Sequence, residues 1–192
     1  ADFVELDVRR SIDGVAVLSH DPIVGGLEVS SATAAELAAL DLGGGVGVPT
    51  LAELLARNPL PLDIEIKPDV EDLGILEQVV GLARPGDFVS SFNWDLCDGV
   101  RRLAPGLPTG LLFEGSVGFP SAIEGAVGGG HRWVLPHDPL VTQEAVSVAH
   151  AAGLLVGVWT VNNQERAAEL ADYGVDAVIS DHPDRIRPEV QP

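Results

Sequence analysis

From Phe3 to Asp181 the chain alternates short apolar runs with longer stretches whose apolar residues recur every three or four positions. The short runs are FVELDV, LDIEIK, DFVSSF, PTGLLF, RWVLPH, LLVGVWTV and DAVISD. Their length and their β-branched and aromatic content predict strands. Between them lie VEDLGILEQVVGLAR, NWDLCDGVRRLA, TQEAVSVAHAAG and NNQERAAELADYG, whose periodicity predicts helices. Thr50 with Glu53 three residues on makes a capping box, Asn162 with Glu165 resembles one, and Gly153 and Gly174 stand where helices should stop. This succession predicts a parallel sheet with helices outside it, and a closed barrel and a doubly wound sheet both satisfy it.

One connection departs from the rhythm. Only SIDG separates FVELDVRR from VAVLSHD, whereas a parallel crossover needs about a dozen residues or more. These two segments are expected to form an antiparallel hairpin. With VAVLSHD set aside as an excursion, the runs, FVELDV included, count as seven parallel strands, where a closed (β/α)8 barrel has eight.

Bulk composition narrows the function. With 192 residues, 46% of them hydrophobic, positions 1–192 are expected to form one domain with a sizeable core. No apolar run reaches the length of a membrane span. Acids outnumber bases 29 to 11, a formal charge of −18. That argues against a nucleic-acid partner and against electrostatic anchoring to a membrane. An anionic small substrate would need a local positive site such as a metal ion. The single cysteine, Cys97, excludes an intrachain disulfide and fits a reducing compartment, so a cytoplasmic location is expected.

Polar residues embedded in the strands carry the chemistry. Alternation places Glu5 and Asp7 on one face of the first strand, roughly 7 Å apart along it. LDIEIK contributes Glu65 and Lys67, VSSF contributes Ser90 and Ser91, and His137 and Trp159 follow in later strands. All lie toward C-terminal strand ends, where parallel α/β folds place their chemistry. Glu5, Asp7 and Glu65 make an oxygen-rich set suited to Mg²⁺ or Ca²⁺. Pairing about the SIDG turn is expected to set Ser19 or His20 opposite Glu5, and a histidine beside a divalent cation suits acid–base work. Lys67, the only lysine, could hold a phosphate oxygen. His137 and Ser91 are candidates for substrate contact. Each feature taken singly also has a plainer reading: a solvated E-x-D face, an exposed E-I-K pair, a core tryptophan. Cys97, His150 and His182 read as structural.

Taken together, E-L-D-V, D-G-V-x-V-x-x-H-D-P, V-P-T-L-x-E-L-L, I-E-I-K-P, V-S-S-F, V-W-T-V-N and G-V-D-A-V-I-S-D-H-P occur in an order that resembles the glycerophosphodiester phosphodiesterases. The resemblance implies a (β/α)8 TIM barrel of the phospholipase C-like type. It also implies metal-dependent hydrolysis of a glycerophosphodiester to sn-glycerol 3-phosphate and an alcohol. Glu5, Asp7 and Glu65 would then be metal ligands, with His20 one of two catalytic histidines. Lys67 would be a phosphate contact, and Trp159 would line the wall near the alcohol. The family's opening strand, ending His-Arg-Gly, and its following helix have no counterpart in the chain, which is expected to lack that unit. Strand edges left open in this way would pair with a second copy. Two other readings remain: a non-catalytic relative that binds metal or phosphate, and a lipid phosphodiesterase of the lysophospholipase D or sphingomyelinase D kind.

Overall fold

A computed structural model describes residues 1–67 and 73–186. They fall into two compact units, Asp2–Leu107 and the residues from Pro108 on, taken in turn.

In the first unit, strand β1 (Val4–Arg10) is followed by β2 (Ala16–Leu18) and a small hairpin of β3 (Ile23–Val24) and β4 (Leu27–Glu28). Helices α1 (Ala34–Ala38) and α2 (Leu51–Leu55) come next, then β5 (Leu62–Ile66), α3 (Leu73–Leu82), β6 (Phe88–Ser91) and α4 (Trp94–Leu103). The strand order is β2-β1-β5-β6. β1 pairs parallel with β5, setting Glu5 beside Asp63 and Asp7 beside Glu65, and β5 pairs parallel with β6. Five residues of β5 in succession are buried, as expected for a strand covered on both faces. Leu6, Val8, Ile64 and Ile66 pack with Ile75, Leu76 and Val79 of α3 and Leu96 and Val100 of α4. The start of VEDLGILEQVVGLAR lies outside the described residues; Leu73–Leu82 of it form α3.

The hairpin expected from SIDG is present, with β2 antiparallel to β1. Its register differs by one residue from the nearer of the two expectations, His20 opposite Glu5. Val8 faces Leu18 and Arg9 faces Val17, and Ser19 N donates to the Asp7 carbonyl at 3.1 Å. Ser19 therefore stands beside Asp7, and His20 lies past the ladder. The turn is the reason. Ser11 and Val15 already pair, through Ser11 N to Val15 O at 3.0 Å and Val15 N to Ser11 Oγ at 2.9 Å. The loop is thus Ile12-Asp13-Gly14, a three-residue connection closed by Gly14 at φ 84°. Gln78 of α3 secures this turn, accepting from Ala16 N and donating to the Gly14 carbonyl. Residues 22–49 bury a small core of their own, with Val17, Val29, Leu37 and Val48. Both short helices there open on capping boxes, Thr33 with Glu36 and the expected Thr50 with Glu53.

The second unit runs β7 (Thr109–Phe113), α5 (Phe119–Gly129), β8 (Trp133–Pro136), α6 (Gln143–Ala151), β9 (Leu155–Val158), α7 (Gln164–Tyr173) and β10 (Ala177–Val178). The strands are parallel in the order β7-β8-β9-β10. Gly110 and Gly157 interrupt apolar strands for a steric reason. A Cβ at either position would meet Leu135 of the intervening strand at 2.8 and 2.7 Å. Gly174 ends α7 in the left-handed conformation, φ 86°. The cap of α7 is Asn163, whose Oδ1 accepts from Arg166 N at 2.8 Å, rather than Asn162. Asn162 instead donates to Asp181 and accepts from Ser180, binding the loop before α7 to the segment after β10.

Candidate active site

Parallel register between β1 and β5 builds the site. Glu5 and Asp7 occupy alternate positions on one face of β1, and Glu65 and Lys67 extend the matching face of β5. One carboxylate oxygen from each of Glu5, Asp7 and Glu65 lies within 4.8 Å of the others. Oxygens sharing one hard cation at about 2.0–2.6 Å each cannot be much further apart than that. The donor set fits such an ion: three carboxylates, no sulfur, no imidazole. Glu65 Oε1 is also buried, with the Lys67 ammonium 2.8 Å away.

Lys67 threads the same acids. Its Nζ lies 2.5 Å from Asp7 Oδ1 and 2.8 Å from Glu65 Oε1. Burial alone would lower the pKa of this ammonium, but the hydrogen bonds to Asp7 and Glu65 outweigh it and raise it. Burial likewise holds Glu65 above the ordinary carboxylate range, against the opposing pull of Lys67.

His20 follows Ser19, which stands beside Asp7, but its side chain is 75% exposed and bonds the Asp21 carboxylate, Nδ1 to Oδ1, at 2.8 Å. An exposed imidazole beside a carboxylate is free to exchange protons with a ligand. Ser91 has a different task. Fully buried, its hydroxyl donates to the Ile66 carbonyl at 2.7 Å and accepts from Asn93 N at 3.0 Å, tying β6 to the end of β5.

In the second unit His137 and Trp159 meet. Their rings stack at 4.8 Å between centroids with planes 27° apart, and Trp159 Nε1 donates to the Leu135 carbonyl at 2.8 Å. Arg166 braces the adjoining loop, donating to Asp138 Oδ1 and to the carbonyls of Asp138 and Val141. Of the residues read as structural, Cys97 is fully buried and His150 pairs with Asp176 at 2.9 Å.

Two neighbours of the acids went unmarked in the sequence. Asp63 is fully buried, accepts from Ser90 Oγ at 2.7 Å, and keeps Oδ2 without a partner. Burial pushes its pKa well above the ordinary range. Arg9 is buried on the Glu5–Asp7 face. Alternation was signal enough for both: Asp63 shares a strand face with Glu65, as Arg9 does with Asp7.

Parallel strands alternating with helices make an α/β fold, and its acid cluster joins Glu65, near the C-terminal end of β5, to Glu5 near the start and Asp7 at the middle of β1. The comparisons with known proteins agree. The model of the glycerophosphoryl diester phosphodiesterase family matches residues 1–185, and the chain belongs to that family. It is 32% identical over 206 residues to the protein YhdW of Bacillus subtilis, covering 97% of this chain and 85% of the relative. It is 29% identical to the glycerophosphodiester phosphodiesterase of Caldanaerobacter subterraneus, covering 97% and 84%. Among solved structures, an Oleispira antarctica phosphodiesterase in complex with the product sn-glycerol-3-phosphate superposes with a TM-score of 0.85 at 27% identity, covering 96% of this chain and 83% of that one. The fold is accordingly the (β/α)8 TIM-barrel class of these enzymes, and the chain is a phosphodiesterase. Among the described residues no helix is long and apolar enough to cross a membrane.

Proposed function

We propose a division of labour for the glycerophosphodiester hydrolysis that family membership assigns to this chain, with sn-glycerol 3-phosphate and an alcohol as products. Glu5, Asp7 and Glu65 hold one divalent cation, Mg²⁺ or Ca²⁺. The observation that carries this reading is the approach of their three oxygens to within 4.8 Å of one another. A cation bound there supplies Lewis-acid polarisation and neutralises charge on the phosphodiester. Lys67 adds a fixed positive charge beside the acids and contacts a phosphate oxygen. His20, exposed and paired with Asp21, moves protons as a general acid or base. The Trp159–His137 stack supplies an apolar wall for the alcohol. The domain is taken as residues 1–192, supported by the family match over 1–185. A cytoplasmic site of action belongs to the same proposal, supported by a lone buried cysteine.

The test is release of sn-glycerol 3-phosphate from glycerophosphocholine, with and without chelator, by the native protein and by His20→Ala. General acid–base groups contribute about 10²–10⁴-fold, and the loss should fall on kcat with little change in KM. A loss confined to KM would make His20 a binding group and overturn its role.

A further inference from the structure

We infer that Arg9 is a positioning residue for His20, a reading that rests on the acid–base role proposed above. Arg9 follows Glu5 and Asp7 on the same face of β1. The residue as a whole is only 8% exposed, and a buried guanidinium calls for acceptors. It meets the His20 carbonyl with two arms of the guanidinium, Nε at 3.2 Å and Nη2 at 2.7 Å. The bond falls where the hairpin ladder ends. β2 stops at Leu18, and the last backbone bond to β1 comes from Ser19 N to the Asp7 carbonyl. His20 therefore lies beyond the sheet, with an exposed ring whose own contact is the adjacent Asp21. The planar fork of an arginine holds a carbonyl in orientation as well as distance. It thus continues the work of the sheet by one residue and fixes the backbone from which the imidazole projects. Asp7 and Arg9 then set ion and imidazole from one strand face, two residues apart.

The test is a double-mutant cycle with Arg9→Gln and His20→Ala in the full-length protein, read by kcat for glycerophosphocholine and by amide hydrogen exchange at residues 19–21. Arg9→Gln should lower kcat at least ~10-fold where His20 is intact and change it less than ~2-fold in the His20→Ala background, because it acts only through that ring. Amide exchange at Ser19, His20 and Asp21 should quicken by ~10-fold or more in Arg9→Gln. Equal losses of kcat in both backgrounds would overturn the inference, as would unchanged exchange. Should His20→Ala leave kcat intact, the acid–base role falls, and exchange alone then decides whether Arg9 anchors the segment. Arg9→Lys, which keeps the charge but not the fork, gives the same exchange readout if Arg9→Gln does not fold.

Discussion

Removing Lys67 isolates the electrostatics of the site. In Lys67→Met the chain keeps a side chain of similar length but loses the ammonium between Asp7 and Glu65. The side chains are 9% exposed for Lys67, 8% for Glu65 and 20% for Asp7. Breaking a buried pair by deleting one partner costs about 3–5 kcal/mol, because the other charge is left uncompensated. The partial opening of Asp7 to solvent puts the expectation near the lower end, about 3 kcal/mol. In a domain of this size that corresponds to a fall in Tm of roughly 6–12 °C. A divalent cation bound by the three acids should restore most of the loss, since ligand at 100 times its Kd contributes about 2.7 kcal/mol. Thermal unfolding followed by circular dichroism, in chelator and then in saturating Mg²⁺ or Ca²⁺, gives both numbers. A variant that melts with the native protein in chelator would refute the reasoning, because the acids would then not depend on the ammonium.

The buried acid beneath the cluster gives a pH signature. Folding raises the Asp63 pKa through burial, so its contribution to stability is fully present below the ordinary aspartate value, about 3.9. It is lost as pH rises through the raised folded value. Asp63→Asn cannot ionise, so its Tm relative to the native protein should climb from pH 4 to pH 8; a difference independent of pH would contradict this. At the aromatic stack, Trp159→Phe gives up the 2.8 Å bond to the Leu135 carbonyl while keeping a ring. Urea unfolding should show a loss of about 1 kcal/mol, and an unchanged midpoint would mean the bond adds nothing. Trp159→Ala should in addition raise KM for glycerophosphocholine more than it lowers kcat.

The parts of this molecule that could be read from the sequence are those fixed by local periodicity. Strand alternation gave the shared face of Glu5 and Asp7, and the brevity of SIDG dictated an antiparallel hairpin. The one-residue register difference arose from a hydrogen bond, Val15 N to Ser11 Oγ, that shortens the loop; side-chain closure of a turn leaves no periodic trace. Asn162 and Asn163 are both competent caps, and only the distant Asp181 decides between them. Long-range pairing also explains Ser91: its polarity suggested a substrate contact, but the Ile66 carbonyl claims its hydroxyl. Asp63 and Arg9 were masked by ordinary appearance in strands, and their burial became visible only once β5 lay between β1 and β6.

The central claim is that Glu5, Asp7 and Glu65 together hold one divalent cation. Calorimetric titration of the native protein and of Glu65→Gln with Mg²⁺ and with Ca²⁺ tests it most directly. One ion per chain should bind the native protein, and the variant should bind it at least ~10-fold more weakly, because a neutral amide replaces one of three charged donors. Equal affinity in the two proteins, or no binding to either, would contradict the account.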